Sequence, residues 1–270
     1  MSVRASSLPR LRCGLNAGFG ETIAHELSGI TEHRFTDVRQ DLTPVMSPET
    51  LRSLMNELRA SSICPLWIMR ENQIAYAKPC ERVEFYNEPN LNGFTPEMYA
   101  EAWNRVAGFA YDRNVVLFAG SISNLNKSAL SWLRQTWARM TVKPRYVSVH
   151  RYAEVTGGSQ KPHSGFANRE QEVDALRQIV GDATIALTEF GYHTGARKLW
   201  GWWPLKPYTD AQVAHYVTEE WQFWSSQNIE SAYLYQLNDG PSTQPDERYG
   251  IRTFAGVWKP SATSHYCLST

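Results

Sequence analysis

Two glutamates stand where predicted strands end, and together they have the side-chain types for acid and nucleophile chemistry. Glu88 follows the alternating segment RVEFYN and is flanked by an amide and a proline, whereas Glu189 comes near the end of TIALTEFG. Two carboxyl groups about 5 to 5.5 Å apart can divide the work of retaining glycoside hydrolysis, one as nucleophile and one as proton donor. A solvated carboxylate at a strand end is the alternative for each residue. The pair therefore needs a fold that brings distant parts of the chain together.

Eight short β-rich segments alternate with helical patterns along the chain. We predict strands over residues 11–17, 33–40, 65–70, 82–87, 114–120, 145–152, 184–191 and 231–237. A βα unit repeated about eight times predicts an α/β fold, a compact TIM-type (β/α)8 barrel that occupies residues 1–270 as a single domain. Residues 71–81 are too short and polar for a full helix, so we expect the helix between strands 3 and 4 to be shortened or missing.

A doubly wound open sheet is the alternative to the barrel. Its nucleotide-binding signature is absent, because the first strand-to-helix turn, GLNAGFGET, lacks GxGxxG and no segment resembles GxxxxGK[ST]. Helix starts are marked by Ser47-Pro48-Glu49 and Thr95-Pro96-Glu97, each with a hydroxyl cap before a proline. Apolar residues at near-helical spacing mark three later helices: Leu130, Leu133 and Trp137; Val173, Leu176 and Val180 before Gly181; and Val213, Val217 and Trp221 after Thr209.

Composition favours a neutral ligand. The 270 residues are 42% hydrophobic and include 27 Lys and Arg against 27 Asp and Glu, so no charge excess attracts nucleic acid or a membrane surface. No apolar segment approaches the ~20 residues needed to span a bilayer, and the N-terminus has no secretion-type apolar core. We expect a cytoplasmic protein, or a secreted one if a leader has been removed. The oligomeric state is open, with a monomer favoured.

Neither cysteine nor histidine patterns indicate a metal site. Cys13, Cys64, Cys80 and Cys267 lie far apart without a CxxC pair, so we expect buried thiols instead of a zinc cluster or a dithiol motif. No His and Asp cluster has ligand spacing either. We therefore predict that the protein needs no metal and no cofactor.

In a β/α barrel the chemistry sits at the carboxyl ends of the strands, where the βα loops begin. Glu88 and Glu189 fall at this rim on the fourth and seventh predicted strands, which face each other across the barrel mouth. The predicted fold thus brings the two glutamates together. Other polar or aromatic residues expected at the rim are Asn16, Arg39, Trp67, Asn87, His150, Tyr152, Gln236, Asn238 and Asp239.

Five rim motifs resemble those of glycoside hydrolase clan A. NEP at 87–89 and TEFG at 188–191 are similar to the strand-four and strand-seven motifs of the clan. Gly14-Leu15-Asn16 resembles its first-strand GxN, Arg39 its second-strand arginine, and His150-Arg151-Tyr152 the HxY of family five and its relatives. The motifs occur in the clan's order over nearly the whole chain. They indicate the clan but no family within it, family five-like and family thirty-nine-like barrels being the two nearest types.

The resemblance implies a role for each rim group. Glu189 would be the nucleophile, kept ionised by Arg39 and Tyr152. Glu88 would be the acid/base, because the negative charge of Glu189 favours its protonated form until Glu189 carries the sugar. Asn87 would hydrogen-bond the 2-hydroxyl of the sugar, a contact that tightens at the transition state.

Several of these residues also have a purely structural interpretation. Arg39 could be a salt-bridge partner and His150 a satisfied buried histidine instead of a support for the ring of polar groups. Asn16, Trp67 and Gln236 are expected to contact substrate. Glu84, which has the same parity as Glu88, is expected to form a structural ion pair inside the barrel.

Aromatic residues supply candidate sugar-stacking surfaces. Trp200, Trp202 and Trp203 lie in the loop HTGARKLWGWWPLKPYT, and packing over the rim is the alternative to stacking for all three. Trp221 and Trp224 lie in a predicted helix and are expected in the core.

One departure from the clan concerns the last strand. Clan members commonly carry a tryptophan at its end, whereas this chain reads YLYQLNDGP with Gln236 in the corresponding position. Either a loop residue such as Trp203 or Trp258 supplies the platform, or the enzyme prefers an unusual sugar. The shortened third crossover favours an open groove and cleavage within a polymer.

The leading hypothesis is a retaining β-glycoside hydrolase that cleaves a neutral β-linked oligo- or polysaccharide by double displacement. A catalytically silent barrel that binds carbohydrate is the second hypothesis. An aldolase-like barrel ranks last, because it needs a lysine at a strand end and no predicted strand ends on one.

Overall fold

Eight parallel strands close into a barrel, in which the last strand pairs with both β1 and β7. The structure is a computed structural model that describes residues 11–17, 27–42, 47–153, 158, 160–195, 197–199, 203–205, 207–244 and 247–264. The barrel strands are β1 (Arg12–Asn16), β2 (Asp37–Asp41), β3 (Cys64–Met69), β4 (Arg82–Phe85), β5 (Val116–Ile122), β6 (Tyr146–Arg151), β7 (Thr184–Phe190) and β10 (Ser231–Leu234). Two short strands, β8 (Arg197–Leu199) and β9 (Trp203–Leu205), form a separate antiparallel pair. The predicted TIM-type (β/α)8 barrel is confirmed.

Six α-helices alternate with the barrel strands in the described residues. They are α1 (Leu27–Glu32), α2 (Pro48–Ala60), α3 (Pro96–Asp112), α4 (Lys127–Arg139), α5 (Arg169–Val180) and α6 (Asp210–Ser226). The predicted caps are confirmed, since Ser47 accepts from the Thr50 N–H and Thr95 from the Met98 N–H. Gly181 ends α5 with a φ of 61°, a conformation that glycine adopts without a Cβ clash. Trp221 and Trp224 of α6 are fully buried, as expected.

The connection between β3 and β4 is a 3-10 helix over Glu71–Tyr76, in place of an α-helix. Its polar residue Gln73 forms hydrogen bonds with nearby backbone groups. Gln73 accepts from the Arg70 N–H at 2.9 Å and donates to the Leu42 carbonyl at 2.8 Å. Such side-chain bonds to the backbone compete with α-helical hydrogen bonding, which favours the 3-10 turn over an α-helix here.

An apolar layer crosses the barrel interior at mid-height. It consists of Leu66, Phe118, Ala186 and Tyr233, all fully buried. Gly14 lies opposite Tyr233 in the register, and a Cβ on Gly14 would come within 2.1 Å of the Tyr233 ring. The tyrosine ring therefore fills the space that β1 leaves empty. The two ends of the barrel interior are separated by this apolar layer.

Below the apolar layer lies an ion cluster, here called the floor cluster, formed by Arg12, Asp37, Arg82 and Glu230. The Arg12 Nη2 and Arg82 Nη1 atoms lie 2.7 and 2.8 Å from Asp37 Oδ1. Arg82 also pairs with Glu230 and donates to the Tyr233 hydroxyl. Two arginines face two carboxylates, so the floor cluster is balanced in charge.

The cysteines differ from the expectation of buried thiols. Cys64 and Cys80 are free and exposed, whereas Cys13 is buried and disulfide-bonded. Cys64 opens β3 and Cys80 immediately precedes the β4 region, where strand ends meet solvent. Cys267 lies outside the described residues. Among the helices of the described chain, none combines the length and apolar character needed to cross a bilayer.

Candidate active site

Glu189 lies at the carboxyl end of β7 and faces into the barrel mouth. It is 6% exposed, with Oε1 accepting from Arg39 Nη1 at 2.6 Å and Oε2 from the Tyr152 hydroxyl at 2.5 Å. An irregularity in the β6–β7 register pairs Val149 with Leu187 but His150 with Glu189. A bulge of this kind reverses the inward and outward alternation, and it places Glu189 beside His150.

Arg39 of β2 is the central cation of the site and is 3% exposed. Its guanidinium reaches Glu84 and Glu189 and donates to the side-chain oxygens of Asn16 and Asn87 at 2.8 and 2.7 Å. Burial lowers the pKa of Arg39, but the charges of Glu84 and Glu189 outweigh it and raise the pKa above the ordinary value. Arg39 therefore stays a cation. We call Arg39, Glu84 and Glu189 the rim cluster.

Glu88 follows β4 and turns its carboxylate toward the same mouth, with 23% of its side chain exposed. Its φ is 44°, in the left-handed region that non-glycine residues seldom adopt. The turn after it holds this conformation, because the Leu91 and Asn92 N–H groups donate to the Glu88 carbonyl at 2.9 and 3.0 Å. One carboxylate oxygen of Glu88 lies within 4.8 Å of one carboxylate oxygen of Glu189. The predicted meeting of the two glutamates is therefore present.

His150 is fully buried between the two glutamates. Its Nδ1 lies 2.9 Å from Glu88 Oε1 and 3.5 Å from Glu189 Oε2. Its Nε2 lies 3.3 Å from Arg39 Nη2 and 3.4 Å from Ser121 Oγ. An ionised carboxylate only accepts, so Nδ1 carries the hydrogen of the contact with Glu88 whenever Glu88 is ionised. Glu88, His150 and Glu189 are also close enough together to surround a metal ion. That no metal is needed stays a prediction.

Tyr152, just after β6, is held from several directions. Its backbone N–H donates to Asn124 Oδ1 at 3.2 Å, and its carbonyl faces His163 Nε2 at 3.0 Å. Burial, followed by the negative charge of Glu189, raises the pKa of Tyr152 well above 10.0. The phenol therefore remains a hydrogen-bond donor to Glu189.

The two predicted asparagines have different positions. Asn87 is half-buried, and among the described residues its Nδ2 has no hydrogen-bond partner, so it can donate to a ligand. Asn16 is 2% exposed and donates to the Thr188 and Leu234 carbonyls at 3.1 and 3.4 Å. Asn16 therefore lies beneath the site and holds Arg39 instead of offering an amide to substrate.

The expectation that Trp67 contacts substrate is corrected. Leu66 points into the barrel interior, so its neighbour Trp67 points to the opposite face of β3. There it is fully buried in the core that includes the apolar faces of the helices, among them Leu54 and Met55. Trp67 is a packing residue.

Tyrosines supply the aromatic surface beside Glu189. The Tyr152 ring lies 6.2 Å from that of Tyr235 and 5.6 Å from that of Tyr249, and all three are half-buried. Tyr235 directly follows β10 and precedes Gln236, which is also half-buried at the rim. The sequence reading missed Tyr235. Tyr235 lies two residues after Tyr233, which points inward, and alternation along the strand therefore predicts that Tyr235 points to the same side.

The tryptophans proposed as a sugar platform are only partly described. Trp200 and Trp202 lie outside the described residues, and the structure describes only the backbone of Trp203. Trp258 packs on α1, since a Cβ on Gly29 would come within 2.7 Å of its ring and the His33 ring lies 4.2 Å away.

No family model matches this sequence, and no curated protein matches it. Solved structures do match. A family 39 glycoside hydrolase from Bacteroides cellulosilyticus WH2 is 15% identical with a TM-score of 0.65 over 94% of this chain, which spans 62% of that protein. A family 17 β-1,3-glucanosyltransferase from Rhizomucor miehei is 10% identical with a TM-score of 0.66, over 96% of this chain and 99% of its own.

A third solved structure is a family 128 exo-β-1,3-glucanase from Aureobasidium namibiae. It is 12% identical, with a TM-score of 0.63 over 94% of each chain. At such identities the likeness shows the fold alone. The fold is the clan A-like glycoside hydrolase fold, as the rim motifs indicated.

Proposed function

We propose that this protein is a retaining β-glycoside hydrolase, with Glu189 as nucleophile and Glu88 as acid/base. The observation that carries the proposal is the approach of the two carboxylates to within 4.8 Å at the carboxyl ends of β4 and β7. Retaining enzymes place their carboxyl groups about 5 to 5.5 Å apart, whereas inverting enzymes need about 6.5 to 9.5 Å to admit a water.

In the first step, Glu88 donates its proton to the glycosidic oxygen while a Glu189 oxygen attacks the anomeric carbon. The glycosidic C–O bond breaks, the leaving group departs as an alcohol, and the sugar becomes an ester of Glu189. Arg39 and Tyr152 each hold one oxygen of Glu189, so that the carboxylate is oriented before the attack.

In the second step, Glu88 takes a proton from water and the resulting hydroxyl attacks the anomeric carbon. The ester bond breaks, Glu189 leaves as a carboxylate, and the sugar keeps its original anomeric configuration. His150 supports this step because its Nδ1–H donates to Glu88 while Glu88 is negatively charged. Asn87 would donate from Nδ2 to the sugar 2-hydroxyl.

The substrate is proposed to be a neutral β-linked oligo- or polysaccharide. Sugar C–H faces stack on aromatic rings, and the half-buried Tyr235 and Tyr249 rings pack around Tyr152, which itself contacts Glu189. This tyrosine surface would take the place of the missing clan tryptophan. The names of two similar structures refer to β-1,3-glucans, so a β-1,3-glucan is the first polymer to test.

The test uses an activated aryl β-glycoside together with a panel of polysaccharides. Glu189→Ala should abolish turnover, and added azide should restore it with a product of the opposite anomeric configuration. Glu88→Ala should lose about 10²–10⁴-fold on natural substrates but far less on aryl glycosides, whose leaving groups need no proton. Glu57→Ala, at an exposed position of α2, is the matched control.

Unchanged activity in either active-site variant would remove the assignment. The second candidate, a silent carbohydrate-binding barrel, predicts binding to a glycan array without product after long incubation.

A further inference from the structure

A third carboxylate, Glu84, lies beneath the proposed catalytic pair. It is fully buried on the inner side of β4. Its Oε1 accepts from Arg39 Nε at 3.0 Å, from Ser121 Oγ at 2.9 Å and also from Arg39 Nη2. The expected structural ion pair of Glu84 is thus confirmed, and its partner is the same arginine that binds Glu189.

One cation is shared between two carboxylates in the rim cluster. Arg39 uses Nε and Nη2 for Glu84 and Nη1 for Glu189, at 2.6 Å. Charges in a buried site are weakly screened, so the negative charge of Glu84 offsets much of the guanidinium field at Glu189. Glu189 is therefore stabilised less by Arg39 than it would be if Glu84 were neutral.

Three other groups face Glu189. Tyr152 donates a neutral hydroxyl, His150 places its Nδ1 atom 3.5 Å away, and Glu88 brings a like charge or a neutral carboxyl group. Among the described residues, Arg39 is the only arginine or lysine paired with Glu189. Changes in the charge of Glu84 are therefore transmitted to Glu189 through Arg39.

We infer that Glu84 is a positioning residue that sets the charge and reactivity of Glu189 by engaging Arg39. With Glu84 ionised, Arg39 stabilises the Glu189 carboxylate less strongly, and Glu189 remains nucleophilic enough to attack the anomeric carbon. Without that charge, Arg39 would stabilise the Glu189 carboxylate too strongly, which makes it a weaker nucleophile and a better leaving group. The catalytic part of this inference rests on the proposed function, whereas the charge coupling does not.

The structure offers a conservative variant for the test. Glu84 Oε2 is buried and has no hydrogen-bond partner among the described residues. Glu84→Gln can therefore place its amide nitrogen at that position while its oxygen keeps the donors from Arg39 and Ser121. The variant removes one charge and keeps the hydrogen bonds that Glu84 Oε1 accepts.

The primary experiment is a carbon-13 NMR titration of the glutamate carboxyl groups, with the Glu189 signal assigned by comparison with Glu189→Gln. In Glu84→Gln the Glu189 signal should titrate at lower pH than in the wild type, because a negative charge beside Arg39 has been removed. Asp37→Asn is the matched control, because it removes a buried carboxylate that also pairs with arginines, but below the apolar layer. Its Glu189 midpoint should not move.

Kinetics supply the catalytic readout. The acidic limb of the kcat/KM profile should move with the titration, formation of the glycosyl-enzyme should slow, and its hydrolysis should quicken, all measured with an activated aryl glycoside. A wild-type protein without turnover would defeat the proposed function, but the NMR shift would still support the coupling.

An unmoved Glu189 midpoint in folded Glu84→Gln would overturn the inference. If Glu84→Gln does not fold, Glu84→Asp replaces it, because its shorter side chain draws the charge away from Arg39. A downward shift of Glu189 in Glu84→Asp supports the inference, and an unmoved midpoint overturns it.

Discussion

The two ends of the barrel interior both hold arginines between carboxylates, yet their charge balance differs. The floor cluster sets two arginines against two carboxylates, whereas the rim cluster sets one arginine against two. A balanced buried network stabilises the fold only modestly but is costly to break. An excess of negative charge instead leaves one carboxylate partly uncompensated, which suits a nucleophile. The comparison separates a structural network from a reactive one.

The largest effect is expected from removing the shared cation at the rim. Arg39→Met leaves Glu84 and Glu189 buried without their counter-charge, so we expect kcat/KM to fall by about 10²–10³-fold. The free energy of unfolding should fall by about 3–5 kcal/mol. Aryl glycoside kinetics and urea unfolding measure the two effects. Activity within tenfold of wild type would contradict a catalytic role for the rim cluster.

Breaking the floor cluster should affect stability without affecting turnover. Asp37→Ala removes the carboxylate between Arg12 and Arg82 and should cost about 3–5 kcal/mol in the free energy of unfolding. Because the apolar layer separates this site from Glu189, kcat/KM of the folded fraction should be unchanged. A loss of kcat/KM in the folded protein would show that the two clusters are coupled.

A hydroxyl at the rim should matter more for the reaction than for the fold. Tyr152→Phe removes a hydrogen bond to the Glu189 carboxylate, and bonds to charged groups contribute about 1.5–3 kcal/mol. We therefore expect kcat/KM to fall by about 10–100-fold. Steady-state kinetics with one aryl glycoside measure the effect, and a change in KM alone would argue against orientation of the nucleophile.

The matched hydroxyl at the floor should show the reverse. Tyr233→Phe removes the acceptor for Arg82 Nη1 and should lower the free energy of unfolding by about 1 kcal/mol, with kcat/KM unchanged. Thermal and urea unfolding beside the same kinetic assay complete the comparison. Equal kinetic losses in both tyrosine variants would abolish the distinction between the two ends.

The last prediction concerns stability at alkaline pH, and its effect is absent at neutral pH. Burial raises the pKa of six tyrosines above 10.0, and the increase is largest for four of them: Tyr99, Tyr152, Tyr192 and Tyr233. Below pH 10 both states hold these protons, but above it the unfolded chain releases them while the folded protein retains them. Stability should therefore fall as pH rises above 10, by about 1.4 kcal/mol per pH unit for each tyrosine. Tyr152→Phe and Tyr233→Phe should each reduce this slope, measured by urea unfolding between pH 9 and 11.

The order of strands and helices could be predicted from the sequence because each element carries a local signal. The caps at Ser47 and Thr95 and the glycine after Val180 depend only on nearby residues. The meeting of Glu88 and Glu189 followed from barrel topology, which brings strand ends to one rim.

The direction of individual side chains was less predictable. CPLWIM is apolar on both faces, as parallel strands are, so nothing in it distinguishes the inward Leu66 from the outward Trp67. The register irregularity before Glu189 arises from pairing with β6, which a single segment does not reveal. The tyrosine surface was not predicted for another reason, because the comparison with the clan motif aligns Gln236, and not its neighbour Tyr235, with the usual tryptophan.

The apolar layer across the barrel has a consequence for engineering. The Tyr233 ring packs against Gly14 and, with Leu66 and Phe118, forms a region of low polarity between the charged groups at the two ends of the barrel. Substitutions intended to alter sugar preference can therefore be made above it without re-optimising the ionic base of the scaffold. Replacing Gly14 by alanine would displace the Tyr233 ring and disrupt the apolar layer. Gly14 therefore marks the limit of the region that tolerates redesign.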